Sequence, residues 1–216
     1  MCGIVGYAPL PEVRDNAFVI KAFNRLFTES CIRGLHAYGL SDVYDSAVGV
    51  LDTFRTYDQS EIGKRFDPNA NTIAHARYCQ SGDWRTIENN QPIVVGQMAF
   101  AMNGVISMGT KEEYETEFGV TCAVDNDSEV FLRKIEDAKT PEEVMLKAAN
   151  FIGSINGSLA GTFLAFGYLF AARNDRRPLW RCDAYGARWY ASTYDIFHRA
   201  GFSGQEPVTV GVEMSV

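Results

Sequence analysis

The C-terminal third of the chain is a succession of short apolar stretches, at residues 161–166, 168–172, 179–184, 188–193 and 207–212, and the first four are separated by breaks of a few residues. Two parallel strands need a crossover of roughly a dozen residues or more, so neighbours this close can pair only as antiparallel hairpins. The opposite end reads the same way. Residues 3–7 form an apolar run that ends at Pro9 and Pro11, and residues 47–54 and 71–78 carry Val, Ile and Thr between turn formers. Residues 96–106 make a further apolar strand pair, with a tight turn expected at Asn103-Gly104, a dipeptide suited to two-residue hairpin loops.

Helical spacing is confined to the regions between. Val19, Ile20, Phe23, Leu26, Phe27, Cys31 and Ile32 recur at that spacing over residues 16–32, with Gly34 as the stop. A second helix is expected over residues 128–138. Thr140-Pro141-Glu142-Glu143 opens a third, with an N-cap, a proline at the first helical position and acids in the first turn. Strands at both ends around a helical middle, without βαβ alternation, predict an α+β protein built on antiparallel sheets. No internal repeat or linker interrupts it, so a single domain over residues 1–216 is expected.

Composition removes several classes of function. With 216 residues, 46% of them hydrophobic, the chain can bury a full core. Its net charge of -7 and the absence of a dense Lys/Arg cluster argue against a nucleic-acid partner. The longest apolar run, residues 159–172, is interrupted by Gly161, Thr162 and Gly167, and falls short of the ~20 residues that span a bilayer. No signal-peptide or lipidation pattern is present, and the five cysteines are an odd, scattered set without a C-x-x-C pair. A reduced, cytoplasmic setting without a membrane partner is the expectation.

The chemistry is concentrated at the start. A small residue after the initiator lets Met1 be removed, which would leave Cys2 with a free α-amine. A thiol attacks only as thiolate and needs a base. An α-amine titrates near about 8, so Cys2 would supply both nucleophile and base, directly or through a water. The plainer alternative is a small apolar residue opening a strand.

Six segments follow in one order: MCGIVGY, then RGLHAYG at 33–39, HARYCQSG at 75–82, NNQP at 89–92, MNGVIS at 102–107 and DNDSEVFL at 125–132. The later stretch GTFLAFGYLFAARNDRRPLW ends in an Arg-Asp…Arg-Pro-Leu pattern. Together they resemble the class II glutamine amidotransferase domain, a branch of the N-terminal nucleophile hydrolases, over essentially the whole chain to about Val212. The resemblance implies a four-layer αββα sandwich with two stacked antiparallel sheets. It also implies roles for individual residues. Cys2 would attack the side-chain amide of L-glutamine, release ammonia and pass through a γ-glutamyl thioester.

In the same resemblance Asn103 and Gly104 form the oxyanion hole, where each donor is often worth a few kcal/mol of barrier; the alternative is an ordinary hairpin turn. Arg77, followed by Tyr78 in the same motif, matches the arginine that holds the substrate's α-carboxylate, a task suited to a bidentate guanidinium. Its alternative is a surface ion pair at a strand end. Asp127 matches the partner of the substrate's α-ammonium and could also serve as a helix N-cap. Arg33 and Gly34 match the motif that supports the pocket wall and Cys2. The chain departs from the family at His36, where an acid is usual, and at Cys79, where Ser or Thr is usual. His36 is read as structural and Cys79 as a partly buried small residue.

No metal and no cofactor are expected, because no metal-ligand spacing, P-loop, G-x-S-x-G or opening G-x-G-x-x-G is found. The leading expectation is a glutaminase that passes ammonia to a separate synthase subunit. Two others are an N-terminal nucleophile amidohydrolase acting on a γ-glutamyl compound, and a catalytically inactive glutamine-binding regulatory module.

Overall fold

The computed structural model describes residues 1–12, 15–44, 50–79 and 82–215. The chain runs β1 (Gly3–Pro9), α1 (Asn16–Cys31), β2 (Ala37–Val43), β3 (Leu51–Thr56), α2 (Ser60–Arg65), β4 (Asn71–Arg77), β5 (Ile93–Val95) and β6 (Met98–Val105). It continues with α3 (Lys111–Phe118), α4 (Ser128–Ile135), α5 (Pro141–Ser154), β7 (Ser158–Ala165), β8 (Tyr168–Arg173), β9 (Trp180–Ala184), β10 (Ala187–Ala191), α6 (Tyr194–Arg199), β11 (Glu206–Pro207) and β12 (Gly211–Ser215).

All strand pairs among the described residues are antiparallel, and the short connections β2–β3, β5–β6, β7–β8 and β9–β10 require it of those four. The first sheet has the order β11-β9-β10-β1-β4-β2-β3 and the second β12-β8-β7-β6-β5. Three apolar layers follow. One joins α1, α2 and α6 to the outer face of the first sheet, through Phe23, Leu26, Ile62 and Phe197. One joins α3, α4 and α5 to the second sheet, through Tyr114, Phe131, Ile152 and Phe163. The layer between the sheets is built of small side chains, with Ala99, Ala101, Ala160 and Ala171 set among Ile73, Leu164 and Leu169. The αββα sandwich is therefore the observed fold.

Of the side-chain caps, Thr140 at α5 is the expected one, and Asp15 at α1 was not anticipated. Asp15 accepts from the N–H groups of Ala17 (3.0 Å) and Phe18 (3.2 Å) to start α1, and Thr140 accepts from Glu143 N (3.2 Å) to start α5. Gly34 does not stop α1 by a left-handed turn. A side chain there would meet Ala76 O at 2.3 Å, so glycine is needed where the chain crosses the end of β4.

The expected Asn103-Gly104 turn is not present. The hairpin turns at Gly96, at φ +58°, with Val95 facing Met98, and β6 continues through Asn103 opposite Ala160 and Gly104 opposite Leu159. Gly104 serves a close approach instead, since a Cβ would lie 2.0 Å from Ser158 O. Smaller differences concern boundaries. The expected last strand divides into β11 and β12, the helix at 128–138 ends at Ile135, and β2, β5, α2, α3 and α6 were not anticipated. Part of the expected strand 47–54 lies outside the described residues, as do residues 80 and 81 of the HARYCQSG motif.

Candidate active site

Cys2 sits just before β1, where that strand meets the end of β4 with Gly3 opposite Ala76. It is 8% exposed and held from several sides. Its carbonyl accepts from Arg33 Nε (2.9 Å) and Ser192 Oγ (3.2 Å), and Ser192 Oγ in turn accepts from Ile4 N (2.9 Å). Its sulfur lies 3.4 Å from the donating Tyr78 N–H and 3.5 Å from Tyr78 O. Its nitrogen donates to Asn103 Oδ1 at 3.1 Å.

The last bond orients the Asn103 amide. With Oδ1 turned to Cys2 N, the NH2 group of this buried side chain has no partner among the described residues. An unsatisfied buried donor costs about 1–3 kcal/mol, and such costs concentrate at functional sites. Gly104 adds a second donor. Met102 N–H faces away from β7, toward Gln91, and residues two apart on a strand direct their N–H groups to the same edge. The Gly104 N–H therefore faces the open edge of β6, where Gly104 lines the pocket beside Cys2. The two oxyanion-hole candidates and the thiol are brought together.

The same narrow cavity, about 20 Å³, is bordered by Arg77, Tyr78, Gln91, Met102, Asn126 and Asp127. Arg77 is 3% exposed, which removes the surface ion-pair reading. Its Nη1 donates to Asn89 O and to Asn90 Oδ1 (2.7 Å), while Nη2 reaches Cys79 Sγ at 3.6 Å. Asp127 does not cap α4 with its side chain. Its Oδ2 accepts from Ile106 N (2.6 Å) and Ser107 N (3.3 Å), tying the chain beyond Gly104 to the start of α4. Asn126 bonds there in its place, accepting from Ser128 N at 3.1 Å. His36 is structural: Nδ1 accepts from Cys79 N (2.9 Å), and the ring stacks between Tyr78 and Trp84. Cys79 is partly buried and donates to Gly82 O at 3.1 Å.

Burial pushes the Cys2 thiol above its ordinary range, opposed by the Tyr78 N–H, the chain's terminal amine, Arg77 and Arg33. Burial pushes the Met1 amine down, with Arg33 and Arg177 adding to the shift and Cys2 opposing it.

Sequence reasoning missed Ser192, Gln91, Met102 and Asn126. Ser192 has no local signal, because its role depends on β10 lying beside β1. Gln91 and Asn126 stood inside quoted motifs without an assigned task.

No protein-family model matches the chain, and no curated protein sequence does. Solved structures do match. A structure described as the allosteric regulatory enzyme of purine biosynthesis aligns over 99% of this chain and 48% of its own, with TM-score 0.72 and 17% identity. The glutamine phosphoribosylpyrophosphate amidotransferase from B. subtilis, complexed with ADP and GMP, aligns over 99% and 49%, with TM-score 0.70 and 17% identity. The chain spans about half the length of these proteins. At this identity the likeness is one of fold, an αββα sandwich with two stacked antiparallel sheets.

Proposed function

We propose that this chain is a glutamine amidotransferase domain that hydrolyses L-glutamine through Cys2. The observation that carries the reading is the Asn103 amide, whose oxygen holds the Cys2 nitrogen while its NH2 group, without a partner among the described residues, lies in the same buried site. Removal of Met1 would convert that nitrogen from an amide into an amine. The amine takes the thiol proton, with the Tyr78 N–H steadying the thiolate. Sγ adds to the side-chain carbonyl of glutamine, and the oxyanion accepts from Asn103 Nδ2 and Gly104 N. Collapse of the adduct breaks the C–N bond. The amine returns its proton to the leaving nitrogen, ammonia departs, and a γ-glutamyl thioester remains. Water deprotonated by the same amine then attacks, releasing glutamate and the thiol.

Arg77 pairs with the substrate's α-carboxylate and Asp127 with its α-ammonium, a charge pattern for a free amino acid. Arg33 holds the Cys2 carbonyl and so the nucleophile's backbone. The solved relative is named an amidotransferase, and by analogy the ammonia would pass to a synthase subunit of its own. The expected result is ammonia release from glutamine by wild-type protein lacking Met1 and none by Cys2→Ala. Equal release by the two proteins would sink the reading.

A second reading, hydrolysis of a γ-glutamyl compound, draws support from one feature. A cavity of about 380 Å³, bordered by Ser107, Lys111, Glu112 and Asp125, shares the Gly104 wall with the catalytic pocket. Preference for a γ-glutamyl peptide over glutamine in kcat/KM would select it.

A further inference from the structure

The inner edge of β6 changes character halfway along. Ile93, Val94 and Val95 of β5 face Phe100, Ala99 and Met98, and no β5 residue stands opposite Met102. On the other side β6 stays paired with β7 as far as Val105. Met102 is buried, so its outward N–H and C=O must find partners other than a strand. Side chains from two places meet them. Gln91 Oε1 accepts from Met102 N, and His75 Nε2 lies 3.1 Å from Met102 O. A carbonyl can only accept, so Nε2 carries a proton. Full burial and the Arg77 charge push this imidazole down to about 3, which leaves Nδ1 unprotonated and the ring neutral.

Gln91 is itself held by the first sheet. Arg55 of β3 donates to the carbonyls of Asn90 (2.7 Å) and Pro92 (3.0 Å) on either side of it. Gly39 of β2 leaves room for it, since a Cβ at Gly39 would lie 2.2 Å from Gln91 O. His75 also belongs to the first sheet, opposite Gly39. The backbone of Met102, immediately before Asn103, is thus gripped at both its N–H and its C=O from the sheet that carries the thiol, across the gap the reaction must bridge.

We infer that His75 and Gln91 are positioning residues that clamp the Met102 peptide and so set Asn103 and Gly104 against Cys2. The inference rests on the reading of this site as an amide-hydrolysing one. Neither side chain is assigned to touch the reacting atoms. Misplacement of a catalytic group by about 1 Å can cost up to about 100-fold in rate, so loss of either grip should lower kcat by roughly 10- to 100-fold with KM changed less than about threefold.

The test uses the whole chain and compares His75→Phe, His75→Gln, Gln91→Leu and Gln91→Glu. Glutaminase kinetics are measured beside the rate of Cys2 alkylation by iodoacetamide, a displacement that develops no oxyanion. The expected result is a kcat loss in His75→Phe and Gln91→Leu, alkylation within about twofold of wild type, and partial recovery in His75→Gln and Gln91→Glu, which restore a donor and an acceptor. Folded variants with wild-type kcat, or with the loss confined to KM, overturn the inference alone. An inactive wild type overturns the functional reading and this inference with it. If the variants do not fold, amide exchange in wild type decides: a protected Met102 N–H supports the clamp, and a freely exchanging one overturns it.

Discussion

The two ends of the gap between the sheets are built from the same strands and differ in almost everything else. At one end β4 contributes Ile73 and β6 contributes Ala99 and Ala101, which pack with Leu164 and Leu169 into a mainly apolar layer. At the other end the next residues of these strands are His75, Arg77, Asn103 and Gly104, joined by Cys2 and Gln91. The apolar end gains its stability from close packing of small side chains. The polar end carries buried donors and acceptors left without partners among the described residues, including Asn103 Nδ2 and His75 Nδ1. One set of strands therefore changes character within a few residues: half the seam holds the sheets together, and the other half surrounds the Cys2 thiol with buried polar groups at a cost in stability.

Substitutions should separate the ends just as cleanly. Cys2→Ala is expected to abolish glutaminase activity while leaving the unfolding midpoint nearly unchanged. Asn103→Ala should lower kcat by about 10²- to 10³-fold, the usual cost of one oxyanion donor, with KM little affected in steady-state kinetics. At the apolar end the readout reverses. Leu164→Ala should cost about 2–5 kcal/mol in denaturant unfolding and leave kcat per folded molecule within about twofold of wild type. A large kcat loss there would mean the two ends are not independent.

The smallest expected effect is electrostatic and pits two buried groups against each other. Asp42 of β2, bonded to Thr72 Oγ1 at 2.5 Å, is pushed by burial from the usual 3.8 to about 7. It therefore contributes stability below pH 3.8 that is lost as pH rises toward 7. His75 is pushed from 6.5 to about 3. Its contribution is present above pH 6.5 and is lost as pH falls toward 3. Between roughly pH 4 and 6.5 the two slopes oppose each other. Asp42→Asn removes one of them, so stability should rise with pH across that window more steeply than in wild type, as read from urea midpoints at its two ends. Parallel curves for the two proteins would reject the assignment to Asp42.

What the sequence made legible follows the same division. Amphipathic α1 and the closely spaced C-terminal strands could be read because burial on one face leaves a period. β2, the stretch Ala-Tyr-Gly-Leu-Ser-Asp-Val, is buried along its whole length and shows no alternation. Its Ser41 and Asp42 are polar residues at buried positions, so no continuous apolar run marks the strand. Asn103-Gly104 was legible as a pair but not as part of a strand, because the reason for the glycine is Ser158, far along the chain. The thiol and its donors stood in short motifs. Ser192 and the task of Gln91 did not, since each depends on which strands become neighbours.

The central claim is that Cys2 is a nucleophile whose base is its own amine. The measurement that tests it most directly is intact mass before and after exposure to a diazoketone analogue of glutamine, followed by peptide mapping. The account predicts a chain that has lost Met1 and gains one adduct, on Cys2. A chain that retains Met1 and takes up no adduct would contradict it.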